Sequence, residues 1–289
     1  MEFTRNLKRY MIGQDVRAVK DRLVELGYLA KATHNMYGDD TYKAVKAFQA
    51  VSNLEQDGIV GILTWTALFE DPTPIPSDVP EWFSPAVRSE IALALANTSA
   101  KRREICQLAL QYCVDKETNP VFLRCFYIRG ANLYDKDLSL HIMTESRLKT
   151  YFNRSAYEPY YDGGRKEMML RQASAKNYSI PGADCSGFIV GLWRKTKVVK
   201  TDFDASANTL YGSYCVPTSS PQPGDLAHKD GHIGIYVSGG KNGLIVEDAG
   251  GGYGVQLSRT KDRRLLNFVD RKIHKNLGAW KHAGDPKFY

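Results

Sequence analysis

The sequence predicts two domains of different fold class, a small all-α domain of three helices and a larger α+β domain. A segment at residues 71–80 separates them, because its four prolines disrupt helices and favour an extended spacer. Before this segment the apolar residues recur at helical spacing. After it, helical segments give way to short runs that alternate as strands do. We therefore expect domains at residues 1–70 and 84–289, joined by a proline-rich linker at residues 71–83.

Three amphipathic segments make up the predicted N-terminal domain. Val16 and Leu23 lie on one face of the first, Val45 and Phe48 on one face of the second, and Trp65 lies in the third. The second and third segments share the pattern apolar-Gly-x-x-Thr-x-x-Ala-apolar, in which the glycine permits a tight turn before a helix. These repeats predict a three-helix domain.

This N-terminal stretch resembles the three-helix peptidoglycan-binding domains. The resemblance covers residues 14–69 and is carried by Leu26-Gly27-Tyr28-Leu29, Ala44-Val45-Lys46-Ala47-Phe48-Gln49 and Asp57-Gly58-Ile59-Val60-Gly61. It implies that the domain binds the bacterial cell wall. The matching residues themselves are those expected in a core and its turns.

The C-terminal domain begins with helices and continues as an antiparallel meander. Ser84-Pro85 is a good start for one helix, and a second runs from Ser99 to about Val114. Strand-like runs follow at residues 232–237, 244–247 and 253–257, with glycine-rich turns between them. We expect the preceding helices to pack on this sheet. Residues 119–156 carry mixed signals and predict no role.

The composition is that of an ordinary globular protein with a net charge of +7. The positive excess lies after residue 80, because residues 1–70 carry equal numbers of basic and acidic side chains. No basic stripe with interleaved aromatics indicates nucleic-acid binding, and no apolar run approaches the length of a membrane span. The first ten residues lack the apolar core of a signal peptide, which predicts synthesis in the cytoplasm without one.

Cys185 and His232 are the residues that most strongly indicate chemistry. Cys185 opens an apolar helical stretch after Asp184, and His232 opens an apolar strand 47 residues later. A thiol nucleophile and an imidazole base are the two parts of a thiol hydrolase. We expect the helix start to lower the pKa of the thiol and to offer N–H groups to an oxyanion. The odd total of five cysteines suits a free thiol, and Cys106 and Cys113 are better explained as core residues.

The imidazole needs a third residue to hold its second ring nitrogen. Glu247 and Asp248 lie at the end of the next predicted strand, and adjacent residues of a strand face opposite sides of a sheet. We favour Glu247, with Asp248 as the alternative. His228 and His232 have the H-x-x-x-H spacing of some zinc sites, but they lie off any helix and a third ligand is not evident. We therefore predict no metal and no cofactor.

These segments together resemble the NlpC-type peptidases, which are papain-like cysteine peptidases of bacterial cell walls. The matching pieces are Pro159-Tyr160-Tyr161-Asp162-Gly163-Gly164, Asp184-Cys185-Ser186-Gly187-Phe188, Pro223-Gly224-Asp225-Leu226 and Gly231-His232-Ile233-Gly234-Ile235-Tyr236. The resemblance implies a papain-like fold, a Cys/His/polar triad, and substrate or oxyanion roles for Tyr160, Asp184 and Ser186. The chain departs from the family in two respects. The stretch at residues 165–183 is longer than is usual in the family, and the predicted third residue of the triad is a carboxylate.

The sequence therefore predicts a modular peptidoglycan hydrolase that cuts amide bonds in the stem peptides. Tethering to the wall raises the effective concentration of the enzyme at its substrate. With no signal peptide, a phage or prophage endolysin is expected, acting as a monomer on peptidoglycan, without nucleic acid and without membrane insertion. The alternatives are an N-acetylmuramoyl-L-alanine amidase and a non-catalytic wall-binding or phage structural protein.

Overall fold

The computed structural model describes residues 3–51, 54–69, 79–154, 158–175, 179–275 and 277–289. The chain forms two compact units, Met1–Pro76 and Ser77–Tyr289, which divide within the proline-rich segment. Residues 71–78 of the predicted linker lie outside the described residues. Val79 and Phe83, at the far end of that linker, are buried residues of the second unit.

The first unit contains the three predicted helices, α1 (Gln14–Glu25), α2 (Asp39–Val51) and α3 (Ile62–Phe69). Their apolar faces meet in one core, as the helical spacing predicts. The buried members of this core are Leu7, Val16, Val19, Leu23, Tyr37, Ala44, Val45, Phe48, Val60, Trp65 and Leu68.

Gln49 closes the loop between α2 and α3, and its side chain is buried. Its amide nitrogen donates to Asp57 Oδ1 at 2.8 Å and to Ile59 O at 2.9 Å, and its amide oxygen accepts from the Gly58 N–H at 2.9 Å. Gly58 has a φ of +70°, and a Cβ there would lie 2.1 Å from the Tyr42 ring. The motif residues of this loop therefore hold the fold of the unit.

The second unit contains helices and strands in a mixed order. Its helices are α4 (Pro85–Ala96), α5 (Ala100–Gln111), α6 (Glu145–Phe152), α7 (Glu158–Tyr161), α8 (Arg165–Ala175), α9 (Cys185–Lys195) and α10 (Ala207–Tyr214). Its strands are β1 (Phe126–Tyr127), β2 (Gly182–Ala183), β3 (Cys215–Pro217), β4 (Leu226–Lys229), β5 (His232–Tyr236), β6 (Leu244–Asp248), β7 (Val255–Arg259), β8 (Leu265–Leu266), β9 (Ile273–His274) and β10 (His282–Pro286). No helix in the described ranges is both long and apolar enough to cross a membrane.

The main sheet is antiparallel and has the strand order β3-β10-β4-β5-β6-β7 among the described residues. The three strands predicted from alternation are its β5, β6 and β7. Helices and an antiparallel sheet in one unit confirm the α+β class.

Helices from three parts of the chain contact this sheet. α9 packs on β5, and Gly187 lets it approach the preceding loop, because a Cβ there would lie 2.0 Å from Ala131 O. From α5, Cys106 Sγ donates to Tyr236 O at 3.4 Å. From α4, the Glu90 carboxylate accepts from Ser238 Oγ at 2.7 Å. The nucleophile candidate at the start of α9 thus lies against the strand that begins with His232.

The stretch at residues 119–156 forms little regular structure. Within its first part, Phe126 and Tyr127 form a two-residue strand that pairs in parallel with Gly182 and Ala183. α6 begins after Thr144, whose side chain caps it by accepting from the Arg147 N–H. The short pairing of β1 with β2 places Tyr127 beside the residues that lead into α9.

Candidate active site

The candidate nucleophile is the first residue of α9. Asp184 caps this helix, and its Oδ1 accepts from the Gly187 N–H at 2.8 Å. The Cys185 sulfur lies 3.9 Å from Gly231 O, and the N–H of Ile233 also faces it. Because these two residues flank His232, the structure brings the predicted nucleophile and base together at the start of β5.

His232 is hydrogen bonded to Glu247, with 2.7 Å between Nε2 and Oε2. The register pairs Gly234 with Glu247, so Glu247 lies on the same face of the sheet as His232, one pair away. Glu247 is fully buried. Of the two carboxylates considered from the sequence, Glu247 is the one that contacts the imidazole, and this bond leaves Nδ1 as the nitrogen that can accept the thiol proton.

Asp248 faces the opposite side of the sheet. It pairs with Val255 of β7 and is completely buried. Neither carboxyl oxygen has a hydrogen-bond partner within the described parts of the chain. Burial raises the pKa of Asp248 well above its usual value, and the nearby carboxylates of Asp184 and Glu247 raise it further. Burial therefore favours the neutral form of Asp248, whose carboxyl group faces away from His232.

Arg263 is a third partner in the His232–Glu247 pair. Its Nε donates to Glu247 Oε1 at 2.9 Å, and its Nη2 donates to Oε2 at 2.6 Å. Nη2 also lies 3.3 Å from His232 Nε2. Burial alone would raise the pKa of Glu247, but the hydrogen bonds from His232 and Arg263 outweigh it and hold this pKa at about 2. The folded protein therefore favours the ionised form of this carboxylate over the usual titration range of a glutamic acid.

Trp280 covers this cluster. Its ring stacks on the His232 imidazole with 5.1 Å between centroids and 17° between planes, and the Arg263 guanidinium lies 5.1 Å from its centroid. The indole N–H donates to Ser258 Oγ at 3.3 Å, which fixes the ring. The tryptophan shields the His232–Glu247 hydrogen bond from solvent.

The thiol itself is held in its protonated form. Burial raises the pKa of Cys185 to about 12, with smaller contributions from the carboxyl groups of Asp184 and Asp248. The N–H groups of Ile233 and Ser186 act in the opposite direction and are outweighed. The expectation that the helix start would lower the pKa of this thiol is wrong, because desolvation dominates. A base must take the proton before the sulfur can attack.

The predicted substrate residues lie around the start of α9, but two of them have structural contacts. The Asp184 carboxylate accepts from Ser186 Oγ at 2.9 Å and from the Gly130 N–H at 2.8 Å. Both side chains help to hold the helix start. They also line an open cavity of about 390 Å³, whose wall is formed by Gly130, Ala131, Asn132, Asp184, Ser186, Gly187, Asp204, Ala205 and Ser206.

Tyr160 is a half-buried residue of α7 that stacks on Tyr127, with 6.4 Å between ring centroids. The Arg129 guanidinium lies 5.0 Å from the Tyr160 ring centroid and is hydrogen bonded to the Tyr127 side chain. Burial raises the pKa of Tyr127, and the nearby Cys185 and Asp248 side chains would raise it further when ionised. Tyr127 thus stacks on the predicted substrate residue Tyr160 and also lies near the Cys185 thiol.

His228 contributes to the position of the β4–β5 turn rather than to a metal site. Its Nε2 and the Gly231 N–H both bond to Asn208 Oδ1, at 3.0 and 2.8 Å. The His228 ring stacks on Tyr211, with 4.4 Å between centroids. No group of three or more His, Cys, Asp or Glu side chains suited to a metal occurs in the described residues. Asn208 therefore fixes the turn from which His232 enters its strand.

Sequence reasoning missed Tyr127, Arg263 and Trp280. None of them lies in a recognisable motif, and each reaches the site from a different segment. Tyr127 lay in a stretch with mixed signals. The proximity of Arg263 to Glu247 depends on how β7 returns along β6, which the spacing of apolar residues does not reveal.

A cysteine at a helix start, next to a strand histidine bonded to a buried carboxylate, is the arrangement that thiol hydrolases use. Comparison with known families agrees with this class. Residues 158–268 match the family model of the NlpC/P60 family, and residues 12–68 match that of a peptidoglycan binding domain. These matches confirm the architecture predicted from the sequence. No curated protein and no solved structure has a significant match to the chain.

Members of the NlpC/P60 family are cysteine peptidases of papain-like fold that act on peptidoglycan. Together with the peptidoglycan-binding domain, this match supports a hydrolase whose partner is peptidoglycan.

Proposed function

We propose that this hydrolase cleaves amide bonds in the stem peptides of peptidoglycan, with Cys185 as nucleophile, His232 as base and Glu247 as the residue that orients His232. The observation that carries the proposal is the 2.7 Å bond between His232 Nε2 and the buried Glu247 carboxylate, made beside the cysteine at the start of α9. A buried acid in this place fixes the tautomer of the imidazole and stabilises its protonated form.

The reaction begins when His232 Nδ1 takes the proton of the Cys185 thiol. The sulfur then attacks the carbonyl carbon, and the N–H groups of the first turn of α9 stabilise the oxyanion. His232 returns the proton to the leaving amine, and a thioester remains on Cys185. Water, deprotonated by His232, then releases the carboxylate product and restores the thiol.

The substrate lies, in this proposal, along the cavity of about 390 Å³ that borders the start of α9. Tyr160, Asp184 and Ser186 contribute to its recognition. Because the Asp184 carboxylate already binds Ser186 and the Gly130 N–H, we expect it to act mainly by holding the shape of this groove.

Mass analysis of the soluble fragments from digested peptidoglycan tests the bond that is cut. New termini within the stem peptide support the proposal. A free lactyl carboxylate with an L-alanine amino terminus indicates the amidase instead. Absence of fragments, with wall binding retained, indicates a non-catalytic wall protein. The endolysin role, the monomeric state and the absence of nucleic-acid binding stay predictions of the sequence.

The role of the first unit is tested by removing it. We expect residues 77–289 to cut soluble muropeptides at the rate of the full chain, because the site lies entirely within that unit. On intact walls the shortened protein should be slower, since it loses its tether. The full chain provides the control on both substrates. Equal clearing of intact walls by both proteins would contradict a targeting role.

A further inference from the structure

Arg263 follows β7 and is buried against the candidate active site. Its side chain is 5% exposed, and it holds both oxygens of Glu247 with two nitrogens of one guanidinium. Its Nη1 donates to the carbonyl oxygens of Leu277 and, at 3.2 Å, of Gly278. Bonds on both sides fix the guanidinium, so its charge cannot move away from Glu247.

The charge state of His232 changes in any reaction in which it acts as a base, whereas Glu247 stays fully buried. While the imidazole is neutral, a carboxylate with no other partner would be an uncompensated buried charge, which is costly. It would then compete with His232 for the proton taken from Cys185. A guanidinium does not release its proton in proteins, so it supplies a charge that is independent of this cycle.

We propose that Arg263 is a positioning residue that serves as the permanent counter-ion of Glu247, keeping this acid ionised and oriented while His232 gains and loses its proton. The inference rests on the proposed function in one respect, namely that His232 acts as the base.

The other charged groups around the pair do not replace Arg263. On β4, Lys229 donates to Leu277 O at 2.9 Å and contributes a positive charge to the surroundings of Glu247 and Arg263. His228, also on β4, is hydrogen bonded to Asn208. On the α9 side, Asp184 is a helix cap, and burial raises the pKa of Asp248, which favours its neutral form. Among the described residues, Glu247 receives side-chain hydrogen bonds only from His232 and Arg263.

Infrared difference spectroscopy of the full chain tests the inference without substrate. Spectra at about pH 7 and about pH 4 bracket the ordinary pKa of a glutamic acid. In the natural protein no carbonyl band of a protonated Glu247 should appear. In Arg263→Gln the band should appear, because loss of an adjacent opposite charge raises a carboxyl pKa by about one to three units. The band must vanish in Arg263→Gln combined with Glu247→Gln, which assigns it.

Two further variants separate charge from geometry. Arg263→Lys keeps the charge but loses the forked contact, so its spectrum should resemble that of the natural protein while kcat falls. Arg102→Gln is the matched control, because it removes a buried arginine that pairs with Asp225 and Asp285, outside the site. It should leave the Glu247 band absent.

The acid limb of kcat/KM supplies a second readout. It should move to higher pH by about one unit or more in Arg263→Gln and stay unchanged in Arg263→Lys and Arg102→Gln. Absence of the Glu247 band in folded Arg263→Gln overturns the inference, even if the enzyme is active. If Arg263→Gln does not fold, Arg263→Lys still decides, because a Glu247 band in that variant also overturns it. Failure of the natural protein to hydrolyse peptidoglycan, with the expected bands in the variants, would count against the proposed function alone.

Discussion

Glu247 and Asp248 are neighbours at the end of β6, and both are completely buried. On one face of the sheet, Glu247 receives hydrogen bonds from His232 and Arg263, which hold its pKa at about 2. On the other face, Asp248 lies beside the Cys185 helix without a hydrogen-bond partner among the described residues, and burial raises its pKa. The pKa of a carboxyl group is thus lowered on one face and raised on the other, because hydrogen-bond partners outweigh burial for Glu247 and are lacking for Asp248.

The largest loss of activity is expected from substitution of Cys185, the candidate nucleophile. Cys185→Ala should abolish hydrolysis and leave the fold intact, because removal of a nucleophile costs roughly 10³-fold or more in rate and alanine suits a helix start. Release of soluble fragments from peptidoglycan is the measurement. Cys215→Ala, at a buried cysteine of β3, is the matched control and should stay active. Normal hydrolysis by Cys185→Ala would rule out the thiol mechanism.

A smaller loss of activity is expected on the His232 face. Glu247→Ala should lower kcat by roughly 10²- to 10⁴-fold, since the imidazole loses both its orientation and its charge stabilisation. Glu247→Gln can keep an acceptor oxygen and should lose less. Asp248→Ala should be mild, because Asp248 does not contact His232. Kinetics on a soluble muropeptide compare the three. A severe loss with Asp248→Ala and near-normal rates with Glu247→Ala would contradict the comparison.

The smallest expected effect is on the free energy of unfolding. Its dependence on pH should differ between Asp248 on one face of the sheet and Glu247 on the other. The pKa of Asp248 is raised in the folded state, so the native protein binds one more proton than the unfolded chain once the pH exceeds the usual carboxyl range. The free energy of unfolding should therefore fall with rising pH, by about 1.4 kcal/mol per unit. Asp248→Asn lacks this contribution. Denaturant unfolding at about pH 5 and about pH 7 should show its advantage over the natural protein growing with pH.

Glu247 provides the opposite case. Its pKa is lowered in the folded state, so its contribution to stability is fully present above the usual carboxyl pKa and is lost as the pH falls toward about 2. Glu247→Gln should therefore be less stable than the natural protein, by an amount that stays constant over the range in which Asp248→Asn gains. A parallel pH dependence of the two variants would show that the faces do not differ.

The sequence alone was sufficient to predict where several helices and strands begin, because short local patterns mark these positions. Cys185 was predicted at a helix start and His232 at a strand start, and both elements begin where the patterns indicate, while their catalytic roles stay predictions. The helices at Ser84-Pro85 and Ser99 were predicted from their caps, and α4 and α5 begin directly after Ser84 and Ser99. Local chemistry sets these features, so a single sequence reveals them.

The choice between Glu247 and Asp248 could not be fixed in the same way. It depends on the register of β5 against β6, in which Tyr236 pairs with Ile245, and a change of one residue in the turn would exchange the two faces. The pKa shift of the Cys185 thiol was predicted with the wrong sign, because the burial that raises this pKa is a property of the tertiary structure. Arg263 was missed for the same reason.

The strand order carries a consequence for the synthesis of the protein. β10 is the last element among the described residues, yet it lies between β3 and β4, and Trp280 stands two residues before it. While the chain is still being translated, the sheet therefore has a gap, and the imidazole lacks its tryptophan cover. We expect a chain that ends before β10 to lack the strand between β3 and β4, and one that ends before residue 280 to lack also the tryptophan that stacks on His232.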